Sequence, residues 1–185
     1  MISHIRHIKT SGTIVRSSPF LIRRLLRAMD MDRARTVVQL GVGTGCITRA
    51  LLDRMRPDAR LVSFELNPVF VEGNREITDP RLTLVERCAS ALPLVKDDLG
   101  LGPIDYIVSS LPIAIMDEVI VERILRHSDR LLAPDGLFLQ YQYSLSQRSA
   151  LERRFRDVRV GFSLANIPPA FVYECSPQLA RAAAL

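Results

Sequence analysis

A chain of 185 residues with 48% apolar residues and a mean hydropathy of +0.13 can build one packed domain, which excludes a disordered chain. A net charge of +5 and a pI of about 9.6 favour anionic partners, nucleic acid or an anionic membrane, whereas 6% aromatic residues without tryptophan speak against a base-stacking platform. No apolar run reaches about 18 residues, no signal-peptide pattern opens the chain, and Cys46, Cys88 and Cys175 form no C-x-x-C pair, so no spanning helix, no disulfide framework and no metal site are expected, and a cytoplasmic location is.

In chain order, Ile2, Ile5 and Ile8 stand three apart among His4, Arg6, His7 and Lys9. The pattern fits a short basic amphipathic helix, either lying on a membrane or packed on the domain. Ser11-Gly12 breaks it. Ser18 and Pro19 then read as N-cap and first residue of a helix. Leu21, Ile22, Leu25, Leu26 and Met29 supply its buried stripe, and Arg23, Arg24 and Arg27 a positive face.

The stretch from Thr36 to Arg49 organises the rest of the chain. Val37 and Val38 open a short strand, Gly41, Gly43 and Gly45 alternate through a turn, and Ile47, Ala50, Leu51 and Met55 return at helical spacing. Glycines here permit positive φ and close approach of a ligand to the backbone, and a helix start adds N–H donors. A dinucleotide fingerprint would place its third glycine at position 46, which holds Cys46. The pattern is G-x-G-x-G instead. The next strand, Arg60 to Glu65, ends in an acid, about 20 residues past the glycines, the distance at which a carboxylate meets ribose hydroxyls.

Further on, Asn67-Pro68 caps a helix over about 68–76, and Arg81–Glu86 is a third strand with its loop at 87–92. Residues 93–103, with Pro93, Gly100, Gly102 and Pro103, read as irregular with at most one helical turn. Ile104–Pro112 is the fourth strand and its exit. A long helix comes next with Val119, Ile120, Ile124, Leu125, Leu131 and Leu132 inward, then a turn at 133–136, a fifth strand at 137–143 and a polar helix at about 147–156. Strands at 158–164 and 170–175 are too close for a helical crossover, so they should pair antiparallel, and the tail from Ala180 should fray. The expected fold is a doubly wound, seven-stranded, mostly parallel α/β sheet of the Rossmann-like type with the last strand antiparallel. A ligand belongs over the carboxyl ends of the strands, where the loops 41–45, 65–67, 87–91 and 109–113 converge.

The G-x-G-x-G turn and Glu65 resemble the first motifs of S-adenosylmethionine-dependent methyltransferases. The segments Gly12–Pro19, Val108-Ser109-Ser110-Leu111-Pro112 and Asn166–Tyr173 are, within that class, similar to the bacterial phospholipid N-methyltransferases, which methylate the amine of phosphatidylethanolamine stepwise. The resemblance implies S-adenosylmethionine as cofactor and S-adenosylhomocysteine as product, held by Gln39, Gly41, Gly43, Thr44, Gly45, Glu65, Leu66, Cys88, Ala89 and Ser109. It implies catalytic positions at Ser110 and Tyr143, with Tyr141 beside them, a phospholipid substrate, and peripheral attachment to an anionic membrane through an N-terminal segment, residues 1–30, preceding a methyltransferase domain at 31–185. Two positions depart from the family pattern. Gln39 and Cys88 stand where acids are usual; Gln39 retains a carbonyl acceptor, and a thiol is a poor one.

Two other readings remain. An rRNA adenine N6-type methyltransferase fits the basic charge and Leu111-Pro112, although Ile113 stands where an aromatic would stack a flipped base, so nucleic acid is not the expected partner. A non-catalytic binding protein of the same fold fits the losses at Gln39 and Cys88.

Overall fold

The computed structural model describes residues 18–163 and 168–178. The expected helix over 2–9, the segment 12–17, Asn166-Ile167 and the tail from Ala180 lie outside the described residues. The elements are α1 (Pro19–Leu26), β1 (Thr36–Leu40), α2 (Cys46–Leu52), β2 (Arg60–Phe64), α3 (Pro68–Asn74), β3 (Leu82–Val85), α4 (Leu92–Asp98), β4 (Ile104–Ser109), α5 (Glu118–Leu131), β5 (Leu132–Gln142), α6 (Arg148–Arg154), β6 (Asp157–Ser163) and β7 (Ala170–Ser176).

The seven strands form one sheet in the order β3-β2-β1-β4-β5-β7-β6. The first five pair in parallel, and β7 is antiparallel to both β5 and β6. Two antiparallel steps make β6 run the same way as β5, so the end of β6 and the start of β7 reach the carboxyl edge. Strand order reverses between β1 and β4, which opens the expected crevice there.

Every residue of β1 is buried, as a central strand covered on both faces requires. On one face Val38, Leu40, Ile107 and Phe138 pack against α4, α5 and α6 through Leu92, Ile124 and Leu151. On the other, Val37, Leu61, Val108 and Leu139 pack against α1 and α2 through Leu21, Leu25, Ile47 and Leu51. Ser18 caps α1 by accepting from Leu21 N at 3.2 Å, and Asn67 caps α3 by accepting from Val69 N at 3.0 Å, as their sequences predict.

Four expectations need correction. Residues 92–98 form a full helix, because Pro93 sits in its first turn, where no N–H is needed, and Leu92 and Val95 bury one face. Val119 is 66% exposed; Asp117 caps α5 and its buried face runs through Val121, Ile124, Leu125 and Ser128. Residues 133–136 do not separate helix from strand but lie within β5, where Ile104 pairs with Leu132 and Tyr106 already with Leu137. This is a bulge seated on Gly136, whose Cβ, if present, would come within 2.8 Å of Asp105 O. Finally, Arg24 does not belong to a solvated face. Its guanidinium lies over Gly161, where any side chain would overlap it, and pairs with Glu174 at 2.7 Å. This contact fixes α1 against β6 and β7, with Pro19 and Phe20 toward the carboxyl end of the sheet and Asp30, bonded to Tyr106 Oη, toward the amino end.

Candidate functional site

The glycine turn leaves β1 at the crevice. Gly41, Gly43 and Gly45 have φ of +82°, +54° and +77°, a region that costs other residues about 1–2 kcal/mol each. A Cβ on Gly41 would lie 2.8 Å from Ser110 Oγ, and one on Gly45 would overlap Asn74 Oδ1 and lie 2.6 Å from Arg49 Nη1. Gly43 alone of the three has open space at that position. It is therefore the point where a ligand can reach the backbone.

Glu65, at the exit of β2, closes this turn. Its Oε2 accepts from Val42 N and Gly43 N, both at 3.0 Å, and its Oε1 from Leu66 N and Asn67 N, both at 2.8 Å. Four N–H bonds fill the four lone-pair sites of a carboxylate. A ribose diol arriving here would exchange with these bonds or share them. The sequence predicts a carboxylate waiting for hydroxyls; the structure has one already engaged with the turn.

Gln39 is wholly buried beneath the turn. Its Oε1 accepts from Thr48 Oγ1 at 2.8 Å and Ser63 Oγ at 3.1 Å, and its Nε2 donates to Gly41 O at 3.2 Å. The carbonyl expected to serve a ligand thus ties β1, β2 and α2 together. Thr44 is half-buried, with Oγ1 3.2 Å from Cys46 Sγ.

Cys88 and Ala89 follow β3. Cys88 is half-buried, and its sulfur accepts from Ser90 Oγ at 3.2 Å; Ala89 is buried. His127 on α5 holds this loop through a 3.1 Å contact between Nδ1 and Ser90 O. A carbonyl only accepts, so Nδ1 carries the proton. Burial pushes the His127 pKa down, against the Ser90 bond that raises it, with Arg126, Arg123 and Arg130 adding repulsion.

Ser109 ends β4, fully buried, and its Oγ accepts from Leu111 N at 3.3 Å. Ser110 Oγ donates to Gly41 O at 2.8 Å. Its second partner, Leu40 O at 3.4 Å, is also a carbonyl, so the hydroxyl hydrogen is committed to the turn and its lone pairs are what it offers outward. Tyr143 lies one residue past β5, its ring edge-on to Tyr141 with centroids 6.1 Å apart. Glycine turn, Glu65, the Cys88 loop and the Ser109–Ser110 exit all lie at one end of adjacent strands. Tyr143 lies at the same end but farther along the sheet.

Sequence reasoning misses the clamps behind these loops. Asn74, 3% exposed, donates through Nδ2 to Gly43 O at 2.8 Å and Phe70 O at 2.7 Å. Gln140 and Gln142 both donate to Leu111 O, at 3.0 and 2.9 Å. Two amides at alternate positions of a buried strand are costly unless they bind backbone, and that alternation is the signal the sequence offers.

These groups fit an adenosyl cofactor. One carboxylate follows β2, an open glycine backbone follows β1, and a buried loop follows β3. Among the described residues no group of three or more His, Cys, Asp or Glu is placed to hold a metal ion.

The methyltransferase domain family matches residues 37–136. The chain is 33% identical over 173 residues to the ornithine lipid N-methyltransferase of Singulisphaera acidiphila, covering 92% of this chain and 90% of that protein. It is 29% identical to a probable ribosomal RNA small subunit methyltransferase A of Methanospirillum hungatei, over 65% of this chain and 49% of that one. Its fold superposes on a precorrin-6y C5,15-methyltransferase of Geobacter metallireducens with a TM-score of 0.68 at 18% identity, over 90% and 93% of the two chains.

Proposed function

From a chain that belongs to the S-adenosylmethionine-dependent methyltransferases, we propose an enzyme that methylates the amine of a lipid head group at the membrane surface. Its cofactor is S-adenosylmethionine, and S-adenosylhomocysteine is found bound in solved structures of this fold. The observation that carries the lipid acceptor is the likeness to the ornithine lipid enzyme, which runs through nearly the whole of both chains. Phosphatidylethanolamine and its methylated forms are the acceptors that the sequence motifs imply. An amino-acid-headed lipid presents the same chemistry, a nitrogen at the end of a polar head.

Bound, the cofactor supplies a methyl group on a positively charged sulfur. In this reading Glu65 meets the ribose, Leu66, Cys88 and Ala89 line the adenine side, Gly43 and Thr44 take the amino-acid end, and Ser109 closes the floor. Gln39 acts through the turn that it holds. The acceptor nitrogen must arrive neutral and in line, so the chain's task is placement. Ser110, its hydrogen given to Gly41 O, offers a lone pair to an acceptor N–H and turns the nitrogen's own lone pair toward the methyl. The cofactor would give up its methyl to that nitrogen and keep the electron pair of the broken bond, and the nitrogen's displaced proton would leave to solvent. Tyr143, 42% exposed, gives a ring face to the methylated cation. Residues 1–30 serve as the docking and capping segment.

Incubation with labelled methyl donor and two pools, total lipid and total RNA, tests the reading. Label in an amine lipid supports it. Label in RNA overturns it in favour of an rRNA-type acceptor, the reading that the basic charge and the Methanospirillum relative favour. The position after Leu111-Pro112 weighs the other way: Ile113 is buried in the core and offers no ring to a base.

A further inference from the structure

The exposed large apolar side chains of the described residues are not scattered. Phe20 at the start of α1, Leu66 after β2, Ile115 after β4, Tyr143 and Leu145 after β5, and Phe162 near the end of β6 all stand at the carboxyl end of the sheet. Ile115 is 77% exposed, Phe20 54% and Phe162 50%. None of the exposed large apolar side chains falls in the turns at the amino end, which carry the ion pairs Arg35–Asp58–Arg56 and Arg81–Asp79 instead. Scattered single apolar residues are ordinary; a collection at one end marks an interaction surface.

Charge selects the partner. Arg23 sits over the Phe20 ring, 4.7 Å from its centroid. Ser18 stands at this same end, and the sequence before it contains Arg6, Lys9 and Arg16 with no Asp or Glu. Of the acids at this end, Glu65 and Asp117 turn their oxygens onto backbone N–H groups, while Glu86 and Glu118 are exposed. Apolar tips with Arg23 beside them, next to a basic stretch of sequence, suit an anionic lipid surface.

We infer that this rim, centred on Phe20, Leu145 and Phe162, is itself a membrane-docking face, and that the sheet stands with the carboxyl ends of its strands against an anionic bilayer. The inference rests on the lipid-acceptor reading and adds an orientation to it: the crevice opens directly onto the head groups, so an acceptor need not leave the bilayer.

The absence of tryptophan makes the test direct. Phe20→Trp and Phe162→Trp place single reporters in the rim, and Arg54→Trp places one in the exposed turn at the amino end. With phosphatidylglycerol-containing vesicles whose acyl chains are brominated just below the head groups, the two rim reporters should shift to the blue and be quenched, and the Arg54→Trp reporter should not change. Leu145→Asp with Phe162→Asp should lower the vesicle-bound fraction about tenfold and leave cofactor affinity unchanged. Quenching of the Arg54→Trp reporter, silent rim reporters, a blue shift that follows protein concentration without vesicles, or full vesicle binding by the double Asp variant would each overturn the inference. If lipid in detergent micelles is methylated while the rim reporters stay silent, the rim fails and the acceptor reading stands. If the rim reporters respond but no lipid is labelled, the acceptor reading fails and the rim stands.

Discussion

The two ends of the sheet use one device for opposite purposes. At the amino end, Asp105 Oδ2 accepts from Arg35 N and Thr36 N, both at 2.8 Å, where the chain enters β1. At the carboxyl end, Glu65 accepts four backbone N–H groups where the chain leaves β1 and β2. Both carboxylates satisfy donors that strand ends leave unpaired. Asp105 lies among charged turns and serves the fold. Glu65 lies beside the open Gly43, and in the proposed function the hydroxyls of the cofactor would compete for it. A carboxylate on backbone donors is thus structural or functional according to what can reach it.

The largest effect that would sharpen this contrast is at the turn. Gly45→Ala meets both positive φ and Asn74, and should cost about 2–4 kcal/mol of folding stability together with cofactor binding, read by denaturant unfolding and calorimetric titration. Gly43→Ala has room for its methyl and should cost only about 1–2 kcal/mol of stability, yet it should weaken the cofactor far more than that because the methyl points into the approach. Equal losses in stability and affinity for Gly43→Ala would place the ligand elsewhere.

Next comes Glu65→Ala. It should weaken S-adenosylhomocysteine by about 1.5–3 kcal/mol, the scale of a lost charged hydrogen bond, and, because four donors lose their acceptor, it should also lower stability. Asp105→Ala is the matched variant at the other end. It should cost about 1–3 kcal/mol of stability with the cofactor dissociation constant unchanged; a change in that constant would break the comparison.

The smallest effects are in pH. Arg81, hydrogen-bonded to Asp79, lowers its carboxyl to about 2. A depressed acid stabilises above its unfolded pKa, so this amino-end contribution should be full above about pH 4 and lost as pH falls toward 2. At the carboxyl end the His127 pKa is lowered by burial. There the unfolded chain takes up the proton first, so stability should begin to fall as pH drops below about 6.5. Unfolding curves of His127→Gln and Asp79→Asn should each lose the matching part of the pH dependence and keep the other.

Much of this architecture is legible in the sequence. The alternating glycines and the Ser18-Pro19 and Asn67-Pro68 caps are local signals, and the turn and both helix starts form there; Glu65 follows β2 as read, but its hold on four backbone N–H groups has no local signal. α4 is obscured because Pro93, Gly100 and Gly102 read as breakers, although the proline occupies a first turn and the glycines come after the last one. The clamps are illegible for a different reason. Asn74 meets Gly43, and Gln142 meets Leu111, each across 31 positions, and no local pattern reports which carbonyl a buried amide will find. Arg24 reads as surface because the residues that claim it, Gly161 and Glu174, belong to the last two strands.

The contact made by Arg24 also bears on synthesis. Arg24 and Glu174 are 150 positions apart, so α1 leaves the ribosome long before its partner strands exist. At about 5–20 residues per second, those strands emerge only after some 8–30 seconds. Until then Arg24 of α1 has neither Gly161 nor Glu174 to rest on. Leu21 and Leu25 share their core with Ala170 and Val172 of β7, so α1 can take its final place only when the chain is nearly complete.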